Sequence, residues 1–209
     1  MIPAQEALDR LRDGNRRFVA SIQNRGKSPL NARPVELTME QLPSAIVLGC
    51  SDARVPVEIV FDQGLGDLFV IRVAGNIVAP SQVGSVEFAA SKFGTRLVVV
   101  LGHVYCGAIQ AAIEELQQPV ENQSRNLRSI VDRVRPPVEM LLKTELRHDM
   151  AALARQAVRM NVSSSVDHLR HGSAILEQLI QTDGLRVVGA EYSPETGIVE
   201  FFDGAEPDR

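Results

Sequence analysis

The run "RLVVVLGH" at residues 96–103 decides the fold class. Its apolar residues follow one another almost without interruption, which is typical of a β-strand that is covered on both faces. Similar runs occur at residues 45–50 ("AIVLGC"), 67–75 ("DLFVIRVAG") and 185–193 ("LRVVGAEYS"). Segments with helical character separate the runs, at residues 82–93, at 107–117 and from about 122 to 181. This alternation predicts an α/β fold, with a mainly parallel central sheet of about four strands flanked by helices.

Both ends of the chain add an element to this core. Residues 196–204 ("TGIVEFFDG") follow the fourth run closely enough to form a hairpin with it, which predicts an antiparallel edge strand. At the start, apolar residues with helical spacing predict an amphipathic helix at residues 4–19. The polar residues 21–33 that follow predict a loop, so that the chain begins with a helical arm.

The domain organisation follows from length and continuity. A chain of 209 residues, 44% of them hydrophobic, is long enough for one substantial core. We therefore expect a single domain over residues 1–209, with the arm at 1–34 and the α/β core at 45–204. Within the long helical region, we expect the adjacent Pro136 and Pro137 to end one helix and begin another.

Composition argues against two classes of partner. The 22 basic residues are outnumbered by 26 acidic ones and are scattered along the chain, so we expect no binding to nucleic acid. No apolar run approaches the roughly 20 residues that a membrane span needs. The first residues also lack the charged and apolar segments of a secretory signal. We therefore expect a cytoplasmic protein that does not bind membranes.

The only two cysteines stand in short motifs at the ends of predicted strands. Cys50 opens the motif C-x-D-x-R, and Cys106 closes an H-x-x-C motif that begins at His103. If the first and third strands are neighbours, their carboxyl ends bring these three side chains together. Two thiolates and an imidazole are ligands that zinc takes, and the lack of a fourth such residue nearby in sequence suggests a catalytic site. Two alternatives stay open from these residues alone: a disulfide between the cysteines, and three core residues that bind no metal.

The two motifs together resemble those of the β-class carbonic anhydrases. The resemblance extends through "GDLFVIRVAGN" at residues 66–76 and "GSVEFA" at 84–89, and covers most of residues 45–112. It implies one Zn²⁺ per chain on Cys50, His103 and Cys106, with water or hydroxide as the fourth ligand. The implied reaction is the reversible hydration of CO2 to bicarbonate and a proton, in which zinc lowers the pKa of its bound water to about 7.

The resemblance also implies roles for residues around the metal. Asp52 accepts a hydrogen bond from the zinc-bound hydroxide, and Arg54 pairs with Asp52 and keeps it ionised. Without the resemblance, this pair reads as an ordinary surface ion pair. The residues matched to substrate binding are Gln41, the apolar pocket residues Phe69, Ala74 and Phe88, and Gly107, whose backbone N–H at a helix start suits an anion.

Members of this family pair as dimers, and the resemblance therefore implies a homodimer or a dimer of dimers. It places the N-terminal helix across the partner and some pocket residues across the interface. Two other functions remain as alternatives on the same fold: a carbon disulfide hydrolase, and a catalytically silent protein that binds zinc or bicarbonate.

One branch of the family closes its metal site with the aspartate, under the control of a bicarbonate held by a Trp–Arg–Tyr triad. Arg72 and Tyr192 match two positions of that triad, but Val47 occupies the tryptophan position and the chain contains no Trp. We therefore expect an open site near neutral pH, in which Asp52 pairs with Arg54 rather than with the metal.

Overall fold

The computed structural model describes residues 2–23, 42–118 and 124–205. Five strands form one sheet in these residues: β1 (Ala45–Gly49), β2 (Leu68–Arg72), β3 (Leu97–His103), β4 (Arg186–Tyr192) and β5 (Val199–Asp203). Their order across the sheet is β2-β1-β3-β4-β5. β1 runs parallel to both β2 and β3, β3 runs parallel to β4, and β5 is antiparallel to β4. The prediction of four parallel strands with an antiparallel edge strand is therefore confirmed.

Helices cover both faces of this sheet. They are α1 (Ala4–Gln23), α2 (Val57–Val60), α3 (Pro80–Lys92), α4 (Gly107–Gln117), α5 (Arg125–Leu142), α6 (Met150–His171) and α7 (Ala174–Thr182). α1 and α2 pack on one face, while α3, α6 and α7 pack on the other. α4 and α5 form a third apolar cluster with α6, next to the two cysteines. In the described part of the chain, no helix combines the length and the apolarity that crossing a bilayer requires.

The N-terminal helix is longer than expected and packs on the sheet of its own chain. α1 continues to Gln23, past the predicted end at residue 19, and residues 24–33 of the predicted loop lie outside the described residues. Leu8 and Leu11 are fully buried against the sheet of their own chain. The apolar face of α1 therefore covers the core of its own chain, and the placement of this helix across a partner, implied by the resemblance, stays a prediction.

The predicted break at Pro136 and Pro137 is wrong. Both prolines lie inside α5, which runs without interruption to Leu142. Proline removes a backbone donor and disfavours a helix interior. However, Val134, Val138 and Leu141 continue one buried stripe across the prolines and pack into the cluster beside the cysteines. Burial of this stripe, at roughly 25 cal/mol per Å², offsets the lost hydrogen bonds.

Candidate active site

Three donor side chains meet where the strand order reverses. Cys50 directly follows β1, His103 is the last residue of β3, and Cys106 directly precedes α4. Because β1 and β3 are neighbours, their carboxyl ends lie side by side. The sulfur and nitrogen atoms of the three residues lie within 4.8 Å of one another, and all three residues are buried. The fold thus collects at one point the residues that the sequence singled out.

The state of these donors fits a metal ion. His103 Nδ1 lies 2.9 Å from the Val104 carbonyl oxygen, which can only accept, so Nδ1 donates and Nε2 is the ring nitrogen that is left for a metal ion. Nε2 is buried and finds no hydrogen-bond partner within the described residues. Both cysteines are free thiols, so the disulfide alternative is not realised. Two sulfurs and one imidazole nitrogen form a donor set typical of zinc.

The two sulfurs influence each other's protonation. A hydrogen bond from Cys106 lowers the pKa of the Cys50 thiol to about 4, against the opposing effect of burial. The same contact, together with burial, raises the pKa of Cys106. The two thiols therefore titrate as a coupled pair. Binding of a dication would release the protons that they hold, because metal ligands must be deprotonated.

Asp52 and Arg54 form a fork-shaped pair beside the donors. The Arg54 backbone N–H and Nε each donate to Asp52 Oδ1 at 2.9 Å, and Nη2 donates to Oδ2 at 2.7 Å. These bonds hold the pKa of the Asp52 carboxyl well below its usual range. Oδ2 also lies 3.9 Å from His103 Nε2, so the ionised carboxylate faces the same space as the donor atoms.

Arg72 braces the loop that carries this aspartate. Its Nε donates to the Cys50 carbonyl at 3.0 Å, and its Nη2 donates to the Asp52 carbonyl at 2.6 Å. Tyr192 and Val47, the other two positions compared with the triad, are both buried in the core under α1. The guanidinium of Arg72 is thus engaged with backbone oxygen atoms on either side of residue 51.

The candidate substrate residues fall into two groups. Ala74 and Gly107 lie beside the donors: Ala74 begins the short helical turn after β2, and Gly107 is the first residue of α4, next to Cys106. Phe69 pairs with Ile46, four residues before Cys50, and so lies about 13 Å back along the sheet at roughly 3.3 Å per residue. Gln41 lies outside the described residues.

Phe69 and Phe88 belong to an aromatic cluster rather than to the donor site of their own chain. Their ring centroids are 6.2 Å apart, and Phe93 lies 6.0 Å from Phe69 and 5.5 Å from Phe88. Phe88 is 53% exposed although it is a large apolar residue. The structure of one chain therefore does not bring these two phenylalanines to the three donors.

Sequence reasoning missed two buried polar residues behind the site. Asn161 and Ser165 of α6 hydrogen-bond to carbonyl groups of the turn beside Cys50. Both are almost fully buried. The available signal was two polar residues four positions apart, among valines that face the sheet.

Comparisons with known proteins agree with this geometry. A family model described as carbonic anhydrase matches residues 45–199. A carbonic anhydrase of Mycolicibacterium smegmatis is 38% identical over 193 residues, which span 91% of this chain and 89% of that relative. Carbonic anhydrase 2 of Mycobacterium tuberculosis is 35% identical over 187 residues, spanning 90% and 87%.

Solved structures show the same fold. A β-carbonic anhydrase of the fungal pathogen Aspergillus fumigatus superposes with a TM-score of 0.71 at 25% identity, over 92% of this chain and 89% of the other. A Coccomyxa β-carbonic anhydrase superposes with a TM-score of 0.68 at 23% identity, over 90% and 83%. Because the family model matches residues 45–199 and the two bacterial relatives are 38% and 35% identical to it, the chain belongs to the β-class carbonic anhydrases.

Proposed function

We propose that this protein catalyses the reversible hydration of CO2 to bicarbonate and a proton, with one zinc ion per chain bound by Cys50, His103 and Cys106. The observation that carries the proposal is the meeting of these three donors beside an ionised Asp52. Three protein ligands leave a fourth position open, as in catalytic rather than structural zinc sites. Zinc in this position supplies a nucleophile at neutral pH by lowering the pKa of a bound water molecule to about 7.

Asp52 acts as a hydrogen-bond acceptor that orients the attacking oxygen. Its carboxylate stays ionised at neutral pH, because Arg54 donates to both of its oxygens. A carboxylate with so low a pKa is a poor base, so it accepts a hydrogen bond without keeping the proton. The proton of the reaction must therefore leave through another acceptor. Arg54 is itself held, since its Nη2 also donates to the Tyr105 carbonyl at 3.1 Å.

The substrate pocket is assembled from two chains in this proposal. Ala74 and Gly107 contribute from the chain that holds the zinc, whereas Phe69 and Phe88 contribute from a partner. Two observations support this division: both phenylalanines lie away from their own donors, and β2, which carries Phe69, is an edge strand. An apolar pocket suits CO2, which offers little to hydrogen-bond. The assembly is a homodimer or a dimer of dimers; two related enzymes of Sordaria macrospora, which share this fold, are described as tetrameric.

The test is stopped-flow CO2 hydration by zinc-loaded protein, with its molar mass measured by light scattering. We expect activity in the parent and, in Cys106→Ser, loss of both zinc and activity, because a hydroxyl is a far poorer zinc ligand than a thiolate. Thr182→Ser, an equally conservative change at the exposed end of α7, serves as the control and retains both. Full zinc content in Cys106→Ser contradicts the ligand assignment, and an active monomer contradicts the shared pocket.

A further inference from the structure

A turn with unusual backbone geometry lies between β2 and α3. Gly75 and Asn76 are consecutive residues with φ of 72° and 43°, in the left-handed region that residues other than glycine rarely adopt. A Cβ atom at position 75 would lie 2.9 Å from the Ala108 Cβ, which is closer than side chains tolerate. The turn is therefore strained, and it has no room for a side chain at position 75. Its conformation directs the Gly75 N–H to Cys50 Sγ, at a distance of 3.4 Å.

Two side chains of α6 hold this turn from behind. Asn161 Nδ2 donates to the Gly75 carbonyl at 2.8 Å, and Ser165 Oγ donates to the Asn76 carbonyl at 3.1 Å. The two residues are 3% and 5% exposed. They are four positions apart, so they lie on the same face of the helix, one turn above the other. Both carbonyl groups of the strained turn thus obtain buried partners from one helix that also packs on β3 and β4.

We propose that Asn161 and Ser165 are positioning residues for the metal centre, which keep the Gly75 N–H on the sulfur of Cys50. The inference rests on the zinc site proposed above. An N–H···S hydrogen bond draws electron density from a metal-bound thiolate and fixes the direction of its lone pairs. Asn161 and Ser165 act indirectly, because neither side chain contacts the sulfur of Cys50. Their effect reaches Cys50 through the backbone of the turn.

A purely structural role is the competing explanation. Buried hydrogen bonds to a strained turn stabilise the fold whether or not a metal binds nearby. The two explanations differ in what they predict for the sulfur. If Asn161 and Ser165 position the Gly75 N–H, their substitution changes the electronic environment of the Cys50 sulfur. If they only stabilise the fold, their substitution lowers the unfolding temperature and leaves that electronic environment unchanged.

The experiment uses the full-length protein loaded with Co²⁺, whose sulfur-to-cobalt charge-transfer absorption reports directly on the thiolates. We compare the parent with Asn161→Leu, Ser165→Ala and Ser165→Thr, the last of which retains the hydroxyl. The control is Leu169→Ala, which perturbs a fully buried apolar residue of the same helix. The second measurement is the zinc dissociation constant, determined by competition with a chromogenic chelator. The third is the thermal unfolding midpoint.

In Asn161→Leu, we expect the charge-transfer band to move to lower energy and zinc affinity to fall by about 10-fold to 100-fold, the range seen when partners of metal ligands are removed. Ser165→Ala should show a smaller change in the same direction, and Ser165→Thr should restore the parent's band. Leu169→Ala should lower the unfolding midpoint while leaving the band and the affinity unchanged. If Asn161→Leu does not fold, the two Ser165 variants decide.

An unchanged band and affinity in Asn161→Leu and Ser165→Ala, with a normal band in the parent, would overturn the positioning role. So would an equal change of the band in Leu169→Ala. A parent protein that shows no sulfur-to-cobalt band at all would instead overturn the zinc site, and the positioning role with it.

Discussion

The close approach of α6 to the strand that carries His103 depends on a glycine. A Cβ atom at Gly102 would lie 2.5 Å from Val162 Cγ2 and 3.2 Å from Val158 Cγ1. Ordinary contacts between carbon atoms are about 3.5–4.0 Å, so Gly102→Ala requires a displacement of about 1 Å. We therefore predict that this substitution pushes α6 away from the sheet, next to His103, which is one of the three proposed metal ligands.

The expected magnitudes follow from these contacts. Overpacking of this kind costs about 1–3 kcal/mol, which exceeds the roughly 0.5–1 kcal/mol gained by replacing glycine with alanine in a strand. Val162→Ala removes two buried methyl groups and costs about 1.6 kcal/mol in transfer free energy, plus a cavity contribution. In the double variant, the new methyl at position 102 occupies the space that Val162 vacates. The double variant should therefore be more stable than the sum of the single effects predicts, by about 1–3 kcal/mol.

The assay is urea unfolding of the zinc-loaded parent, the two single variants and the double variant, at one protein concentration. A midpoint shift of about 2–4 °C per kcal/mol in thermal scans provides an independent check. Zinc content should fall in Gly102→Ala and recover in the double variant, because α6 returns to the sheet. Strict additivity of the two substitutions would refute the argument, since it would mean that Cβ of residue 102 and Val162 do not compete for the same space.

Two further predictions concern Asp52. Asp52→Asn should retain zinc but lower kcat/KM by about 10²-fold to 10⁴-fold, because the amide is not an anionic acceptor. The pKa of this carboxyl is depressed by Arg54, so its stabilising effect is present above the unfolded pKa of about 3.9 and is lost as the pH falls through the lower folded value. Asp52 therefore does not change its protonation state between pH 5 and 9, and the pH profile of kcat/KM in that range should have the same shape in the parent and in Asp52→Asn. Disappearance of an ionisation from the profile of the variant would contradict the role of Asp52 as an ionised acceptor. The second prediction is the open site: a crystal structure of the zinc protein at pH 7.5 should show Asp52 paired with Arg54. Direct coordination of the metal by Asp52 would refute it.

Much of the sheet could be predicted because its strands are buried on both faces. The apolar run at residues 96–103 closely matches β3, and the same reasoning found the other three parallel strands. α5 shows where local rules fail. The residue before a proline disfavours the helical conformation, and this preference is a property of the local backbone. The buried stripe of α5 depends instead on contacts with α4 and α6, whose positions the sequence does not predict. Tertiary packing therefore overrode a correct local preference.

The donor set could be predicted for a similar reason, since carboxyl ends of neighbouring parallel strands share one edge. The sequence gives no comparable rule for the groups that support it. Arg72 was compared with a ligand-binding triad, yet its guanidinium holds the loop from Cys50 to Asp52 through backbone carbonyls. Backbone acceptors carry no sequence signature, so the partner of such an arginine cannot be inferred from residue types. The same holds for Asn161 and the Gly75 carbonyl.

Asn15 extends this argument to the far side of the sheet. Its side chain donates to the carbonyls of Val60 and Gly197 and accepts from the Val199 N–H, so one buried residue of α1 ties α2 to the hairpin between β4 and β5. An isolated asparagine in an amphipathic helix looks like a surface residue in the sequence. In the fold, it satisfies three backbone groups, each of which would cost about 1–3 kcal/mol if left buried without a partner. Helices on both faces of the sheet thus place buried polar side chains that hydrogen-bond to the backbone of the segments between strands. These hydrogen bonds fix the connecting segments, which include the turn beside Cys50.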